Sequence, residues 1–327
     1  MALDWAPFVE LVRRHQRILL TTHVRPDGDG LGSILALAAV LRHHGKEVRL
    51  VIASTFPPRY RFLDPEGSIE LFSLPGDRWR ETDLAVVMDT GTWNQLGDFG
   101  PFLRTLPAAK VVIDHHKTQD DLGALRLVDT SAEACGRLAY EAMLALGGPV
   151  TTSAATALFV ALAMDTGWFR HANTSAATMA LAAELIRHGA RPELLYNELF
   201  ERNTLARLKL VGLVLDRLQT TCEGKVAFTE LHSSDYAATG ATPQDSEDLV
   251  NYTRSVDGVE VGLFFMEQPR GGVKVSFRSR ERVDVARVAE QFGGGGHRLA
   301  SGATLEASLE DARAKVLHAV ADALNSL

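Results

Sequence analysis

Along the first two hundred residues, short unbroken apolar runs alternate with longer stretches of helical period. ILLTTH (18–23), VRLVIA (48–53), LAVVMD (84–89), KVVIDH (110–115) and LRLVD (125–129) place Val, Ile and Leu on successive positions. A strand covered on one face alternates with polar residues, whereas one covered on both does not, so these runs predict parallel strands between helices. LGSILALAAVLRHHG (31–45) predicts a helix joining the first two strands, with Gly45 as its stop. The opening segment carries Asp4 and Glu10 and reads as an amphipathic helix running into a strand, not as a signal peptide. From Ser131 to about Gln219 the period is helical, with breaks at Gly147, Pro149, Gly189 and Pro192. The expected fold of this part is α/β, a doubly wound and mainly parallel sheet with a helical tail.

After TTCEGK (220–225) the pattern changes. VAFTEL (226–231) predicts a strand and PQDSEDLVNYTRS (243–255) a helix. VEVGLFFME and GVKVSFRS predict a hairpin around QPRGG. A helix over VDVARVAEQF, a glycine run (293–296) and a final amphipathic helix from Leu309 complete a smaller C-terminal α/β domain. The expected domains are 1–219 and 220–327.

Composition narrows the function classes. A net charge of −7 over 327 residues excludes a protein that tracks long nucleic acid on a basic surface, but leaves room for a small phosphorylated ligand in a local pocket. Cys135 and Cys222 are too far apart and too few for a disulfide framework or a zinc knuckle. The longest apolar run, AATALFVALAM (154–164), is too short to span a membrane, and the chain reads as cytoplasmic.

Chemistry gathers where parallel sheets bind ligands, beyond the carboxyl ends of the strands. His23 ends the first run, and Asp27 and Asp29 follow in THVRPDGDGLGS. Asp89 ends the third run, Asp114, His115 and His116 end the fourth, and Asp165 lies in AMDTGWF. The glycines at 28, 30 and 32 miss the GxGxxG spacing, and the carboxylates beside them would repel a bare phosphate. Any one Asp at a strand end reads as a cap or turn residue. Five aspartates and three histidines from four segments, with Lys117 the one nearby lysine, call for cations instead. Mixed carboxylate and imidazole donors suit first-row divalent metals, manganese where oxygens prevail. Two such metals form the usual apparatus of phosphoryl hydrolysis and would turn the sign of the loop positive.

HVRPDGDGLGS, VVMDTG, VIDHH and AMDTGWF resemble the four motifs of the DHH phosphoesterases, and GGGGHRLASGA (293–303) resembles the glycine-rich signature of their DHHA1 domain. The resemblance spans nearly the whole chain. It implies a DHH domain and a DHHA1 domain with the active-site cleft between them, and looks most like the nano-RNase and pAp-phosphatase branch. Members of that branch hydrolyse very short oligonucleotides to mononucleotides, and many dephosphorylate 3′-phosphoadenosine 5′-phosphate (pAp).

Carried over by position, the resemblance implies one manganese ion held by His23, Asp27 and Asp89. A second would be held by Asp29, Asp89, His115 and Asp165, with magnesium or cobalt as substitutes. It further implies that His116 contacts the scissile phosphate or protonates its leaving oxygen. Asp114 is assigned to orient a histidine. The anion grip falls to backbone N–H groups of Gly294, Gly295 and Gly296, to His297, and to Arg278 and Ser279 for a terminal phosphate. Side-chain alternation puts Arg278 and Arg280 on one face of VSFRSR and Ser279 on the other, which leaves open which arginine serves. Arg170 in GWFRHANTS is a further candidate phosphate contact. The expected partners are short oligonucleotides and nucleotides such as pAp. The alternative is a phosphodiesterase for cyclic dinucleotides or their linear products. A catalytically silent regulator would show a broken ligand set, and every position here is filled.

Overall fold

The structure, a computed structural model, describes residues 3–269 and 271–326. Two compact units divide the chain, one up to Arg202 and a second from Asn203.

The first unit contains β1 (Arg17–Thr21), β2 (Glu47–Ile52), β3 (Ile69–Leu71), β4 (Leu84–Met88), β5 (Ala109–Asp114) and β6 (Leu125–Val128). Its helices are α1 (Ala6–Arg14), α2 (Gly28–His43), α3 (Phe99–Thr105), α4 (Cys135–Leu146), α5 (Thr152–Asp165), α6 (Ala176–Arg187) and α7 (Pro192–Tyr196). The strands form one parallel sheet in the order β3-β2-β1-β4-β5-β6. Ile18 and Leu20 of β1 enter the core shared with α2, α4 and α5, while Leu19 between them packs with Phe72, Trp79, Phe99 and Phe102 on the other face. Burial on both faces is why the apolar runs are unbroken. Strand order reverses between β1 and β4, which opens a crevice at their carboxyl ends.

Helix α2 starts three residues earlier than its apolar pattern implies. Asp27 caps it, accepting hydrogen bonds from the N–H groups of Asp29 and Gly30. The glycines of this motif therefore lie in the helix, where close packing requires them. A Cβ at Gly30 would come within 2.3 Å of Thr22 Oγ1, and one at Gly32 within 2.3 Å of Ala157 O on α5. The short edge strand β3 escapes the sequence pattern.

The second unit contains β7 (Gln219–Thr221), β8 (Val226–Leu231), β9 (Val261–Glu267), β10 (Val273–Ser279), β11 (Gly295–His297) and β12 (Ala300–Leu305). Its helices are α8 (Leu205–Asp216), α9 (Ser233–Thr239), α10 (Val250–Arg254), α11 (Val285–Glu290) and α12 (Leu309–Asn325). The sheet order is β11-β12-β10-β9-β8-β7, with β8 and β9 parallel and the other pairs antiparallel. The expected hairpin is β9 and β10; residue 270 in its turn lies outside the described residues. Helix α8 falls with this unit rather than with a tail on the first. Its Leu210 and Val214 pack with Leu231, Leu249, Phe264 and Met266, which draws the division back from 219/220. The helix expected over 243–255 splits into a 3-10 turn (Pro243–Ser246) and α10, because Asp248 takes a left-handed φ of 65°. Among the described residues no helix is long and apolar enough to cross a membrane.

Candidate functional site

At the crevice between β1 and β4 the predicted donors converge. His23 Nε2 lies 3.7 Å from Asp27 Oδ1 and 3.5 Å from Asp89 Oδ2. His115 Nε2 lies 3.4 Å from Asp89 Oδ1, 3.6 Å from Asp165 Oδ2 and 3.7 Å from Asp29 Oδ2. Three groups have ligand atoms within 4.8 Å of one another: His23, Asp27 and Asp89; Asp29, His115 and Asp165; and Asp89, His115 and His116. Asp89 stands between the two histidines, one carboxylate oxygen toward each.

Backbone groups aim these side chains. His23 Nδ1 meets the Val24 carbonyl at 3.0 Å, and His115 Nδ1 meets the Ala132 carbonyl at 3.1 Å. A carbonyl only accepts, so each neutral ring keeps its proton on Nδ1 and presents the Nε2 lone pair to the cluster. Asp29 is wholly buried; its oxygens accept from the N–H groups of Cys135 (2.7 Å) and Gly136 (2.8 Å) at the start of α4. Asp89 holds a left-handed φ of 61°, a conformation concentrated at functional positions when a non-glycine residue adopts it. Asp114, fully buried, accepts at Oδ1 from the N–H groups of His115 and His116 and from His116 Nδ1 at 2.8 Å.

The charges in the cluster are unbalanced. Burial and the charges of Asp89 and Asp165 push Asp29 well above the carboxylate range, and burial lifts Asp165 to about 6. Burial presses on His23 in the opposite sense, but hydrogen bonds and charge from Asp27 and Asp89 prevail and raise it to about 11. His115 rises against burial to about 10 through Asp89, Asp29 and Asp165. The hydrogen bond to Asp114 raises His116. Imidazolium protons thus act as the cluster's cations. Asp89 Oδ1 and His115 Nε2 are buried without a hydrogen-bond partner, which native interiors tolerate rarely. Unpaired carboxylate oxygen and imidazole nitrogen at one point are a donor set for divalent cations.

In the second unit, register places the candidate anion grip. Arg278 lies opposite Ala300, and Ala300 opposite His297, so the three residues share one face of the sheet. Gly295 shares that face two residues before His297. A cavity of about 420 Å³ on this face is lined by Lys274, Ser276 and Arg278 of β10 together with Gln244, Asp248 and Phe264. Arg280 is engaged elsewhere, with Nε and an Nη on the carbonyls of Val259 and Arg254. Ser279 departs from the role its family position implies: it is fully buried and donates its hydroxyl to Glu260 at 2.9 Å. A Cβ at Gly294 would strike Gly302 O, and Gly296 has a φ of 142°, so strand pairing accounts for both glycines. At Gly295 a Cβ would meet nothing within 4 Å. Arg170 is exposed and turns its Nε–H back to the Gly167 carbonyl.

Two features of the site lay outside the sequence reading: the α4 amides that hold Asp29, and Gln119, whose amide reaches Asp114. Backbone donors leave no side-chain signature, although the small pair Cys135 and Gly136 marks the close approach. A Cβ on Gly136 would lie 2.6 Å from that of Ala161.

Residues 17–164 match the DHH family, N-terminal domain, and residues 223–326 match the DHHA1 domain. The chain is 33% identical over 309 residues to the bifunctional oligoribonuclease and PAP phosphatase NrnA of Thermus thermophilus, covering 94% of this chain and 90% of that protein. The NrnA of Bacillus subtilis is 31% identical over 303 residues, covering 90% and 92%. A crystal structure of an exopolyphosphatase-related protein from Bacteroides fragilis shares the fold, with a TM-score of 0.92 at 23% identity over 96% of this chain and 94% of that one. With both domain signatures in order and near end-to-end similarity to these relatives, the chain belongs to the DHH family of phosphoesterases.

Proposed function

We propose that this protein hydrolyses very short oligonucleotides to mononucleotides and converts pAp to AMP, using two manganese ions. One observation carries the reading: every expected donor is present at the β1/β4 crevice, in a chain that aligns nearly end to end with proteins named for these two activities. His23, Asp27 and Asp89 would hold one cation, and Asp29, Asp89, His115 and Asp165 the other. When bound, such a pair polarises the phosphoryl oxygens and supplies an activated water at neutral pH.

The remaining steps belong to the chain's own groups. Asp114 holds His116 by Nδ1, so Nε2 is the nitrogen free to meet the phosphate and pass a proton to the leaving oxygen. Asp29, tied to two amides, keeps its place while substrate enters and leaves. Arg278 and His297, with the open backbone at Gly295, take the terminal phosphate. The −7 charge offers no track for a long strand, so affinity rests on that grip and short chains are favoured. The unpaired Cys135 and Cys222 suit the reducing cytoplasm, where we place the protein.

The test is a substrate panel on chelator-stripped protein restored with manganese, magnesium or cobalt. It spans pAp, oligonucleotides of graded length, linear and cyclic dinucleotides, and pyrophosphate. Manganese should restore hydrolysis best, on pAp and the shortest oligonucleotides. Faster turnover of cyclic dinucleotides or pyrophosphate would overturn the assignment.

A further inference from the structure

The loop after the Asp114–His115–His116 triplet folds back onto the loop after Asp89, and Gln119 makes the joint. Its Nε2 donates to Asp114 Oδ2 and, at 3.1 Å, to the main-chain oxygen of His116. Both partners only accept, so the amide nitrogen must face them and Oε1 must face away. The amide lies flat against Gly91, two residues beyond Asp89, where a Cβ would sit 1.9 Å from Gln119 Oε1 and 2.6 Å from Nε2. The next residue completes the clasp: Asp120 N–H donates to Gly91 O at 2.8 Å, and Asp120 Oδ2 accepts from Trp93 N–H at 2.8 Å.

We propose that Gln119 is a positioning residue for hydrolysis, fixing the Asp114 carboxylate that aims His116 Nε2 at the scissile phosphate. The inference rests on the role given to His116 above. Three donors meet Asp114 Oδ1, but among the described residues Gln119 is the side chain that meets Oδ2. Without it, one oxygen of a fully buried carboxylate loses its partner, and the plane of the carboxylate is no longer set at both ends. His116 depends on that plane. Its side chain is 39% exposed, so packing alone does not hold the ring, and the 2.8 Å bond from Nδ1 to Asp114 does. Gly91 admits the amide to this position, and the Asp120 contacts hold the loop that carries it.

The test compares Gln119→Ala and Gln119→Met with wild type, Met keeping the side chain's length without a donor. Each is made in the wild-type and His116→Ala backgrounds and assayed on pAp and a dinucleotide, whose leaving oxygens need a proton, at saturating manganese. Loss of such a supporting partner typically costs about 10–100-fold, and here it should fall on kcat, with KM and the bound manganese unchanged. A residue acting through His116 should cost less than about twofold once His116 is alanine. In metal-free protein, the His116 Nδ1–H NMR signal should be sharp in wild type and broadened by exchange in both variants. An equal loss in the two backgrounds, an unchanged kcat, or loss of manganese from the variants would overturn the proposal. If wild type hydrolyses no phosphoester, the proposed function fails, whereas the NMR comparison still decides whether Gln119 orders His116.

Discussion

Loading this site with manganese should expel protons, and its affinity should climb steeply with pH. In metal-free protein His23 titrates at about 11 and His115 at about 10, because Asp27, Asp29, Asp89 and Asp165 outweigh the effect of burial. In the proposed site both residues would ligate as neutral imidazole, so at neutral pH each cation would have to displace a proton. Holding His115 neutral at pH 7 costs about 4 kcal/mol, and His23 about 5 kcal/mol. Asp165, at about 6, is already largely ionised at pH 7 and adds little there, while Asp29, raised by burial and by the charges of Asp89 and Asp165, can only add to the count. The two histidines alone account for about two protons per protein, and affinity should rise by at least about tenfold per pH unit for each cation.

Calorimetric titration of chelator-stripped protein with manganese, in two buffers of different protonation enthalpy, counts those protons directly. His23→Gln should remove about one of them. The same linkage fixes the sign for stability. A raised histidine stabilises the metal-free fold fully below its ordinary value of 6.5, and that contribution is lost as pH rises toward 10–11. Chelated protein should therefore melt lower as pH increases across this window, and manganese-loaded protein should not follow it. A proton count near zero, or an affinity flat from pH 6.5 to 8, would refute the picture of imidazolium protons standing where cations bind.

Two further outcomes follow from particular positions. Asp89→Asn keeps volume and tolerates the left-handed backbone but loses the charge shared by both histidines; bound manganese should fall from two and turnover by more than about 100-fold, and normal turnover at saturating manganese would show that Asp89 does not bridge. Arg278→Ala should cost about 10–100-fold in kcat/KM on short oligonucleotides with a terminal phosphate and little on a chromogenic diester, since it removes one charge-assisted hydrogen bond; equal losses on the two would remove Arg278 from the grip.

The convergence of these side chains was legible in the sequence because the residue types that can hold a metal are few, and parallel sheets place them at predictable strand ends. His23, Asp89 and the Asp114–His116 triplet each follow an apolar run that could only be a doubly covered strand. The fold of the first unit was legible for the same reason. β3 was not, because three half-exposed residues at a sheet edge carry no period. The packing role of the glycines at 28–32 was not legible. Glycine between aspartates invites a phosphate loop, yet Gly30 and Gly32 answer to Thr22 and to α5, which are distant in sequence or in a different element.

The second unit separates what alternation can tell from what it cannot. Within VSFRSR, alternation correctly put Arg278 and Ser279 on opposite faces, and Val275 and Phe277 beside Ser279 mark the buried one; what alternation could not show was the partner Ser279 would find there. That partner is Glu260, which accepts from Ser279 Oγ and from the N–H groups of Glu281, Arg282 and Val283, and so fastens the end of β10. With Ser279 committed to Glu260, Arg278 must lie on the opposite face, and the register through Ala300 then sets it in line with His297. The pairing of arginine with histidine across an intervening strand is a property of β12, whose existence no local pattern announced. A grip built this way tolerates change at Ser279 only while Glu260 stays held. The carboxylate inside the unit therefore helps hold the strand end from which, in the proposed function, Arg278 would meet the phosphate.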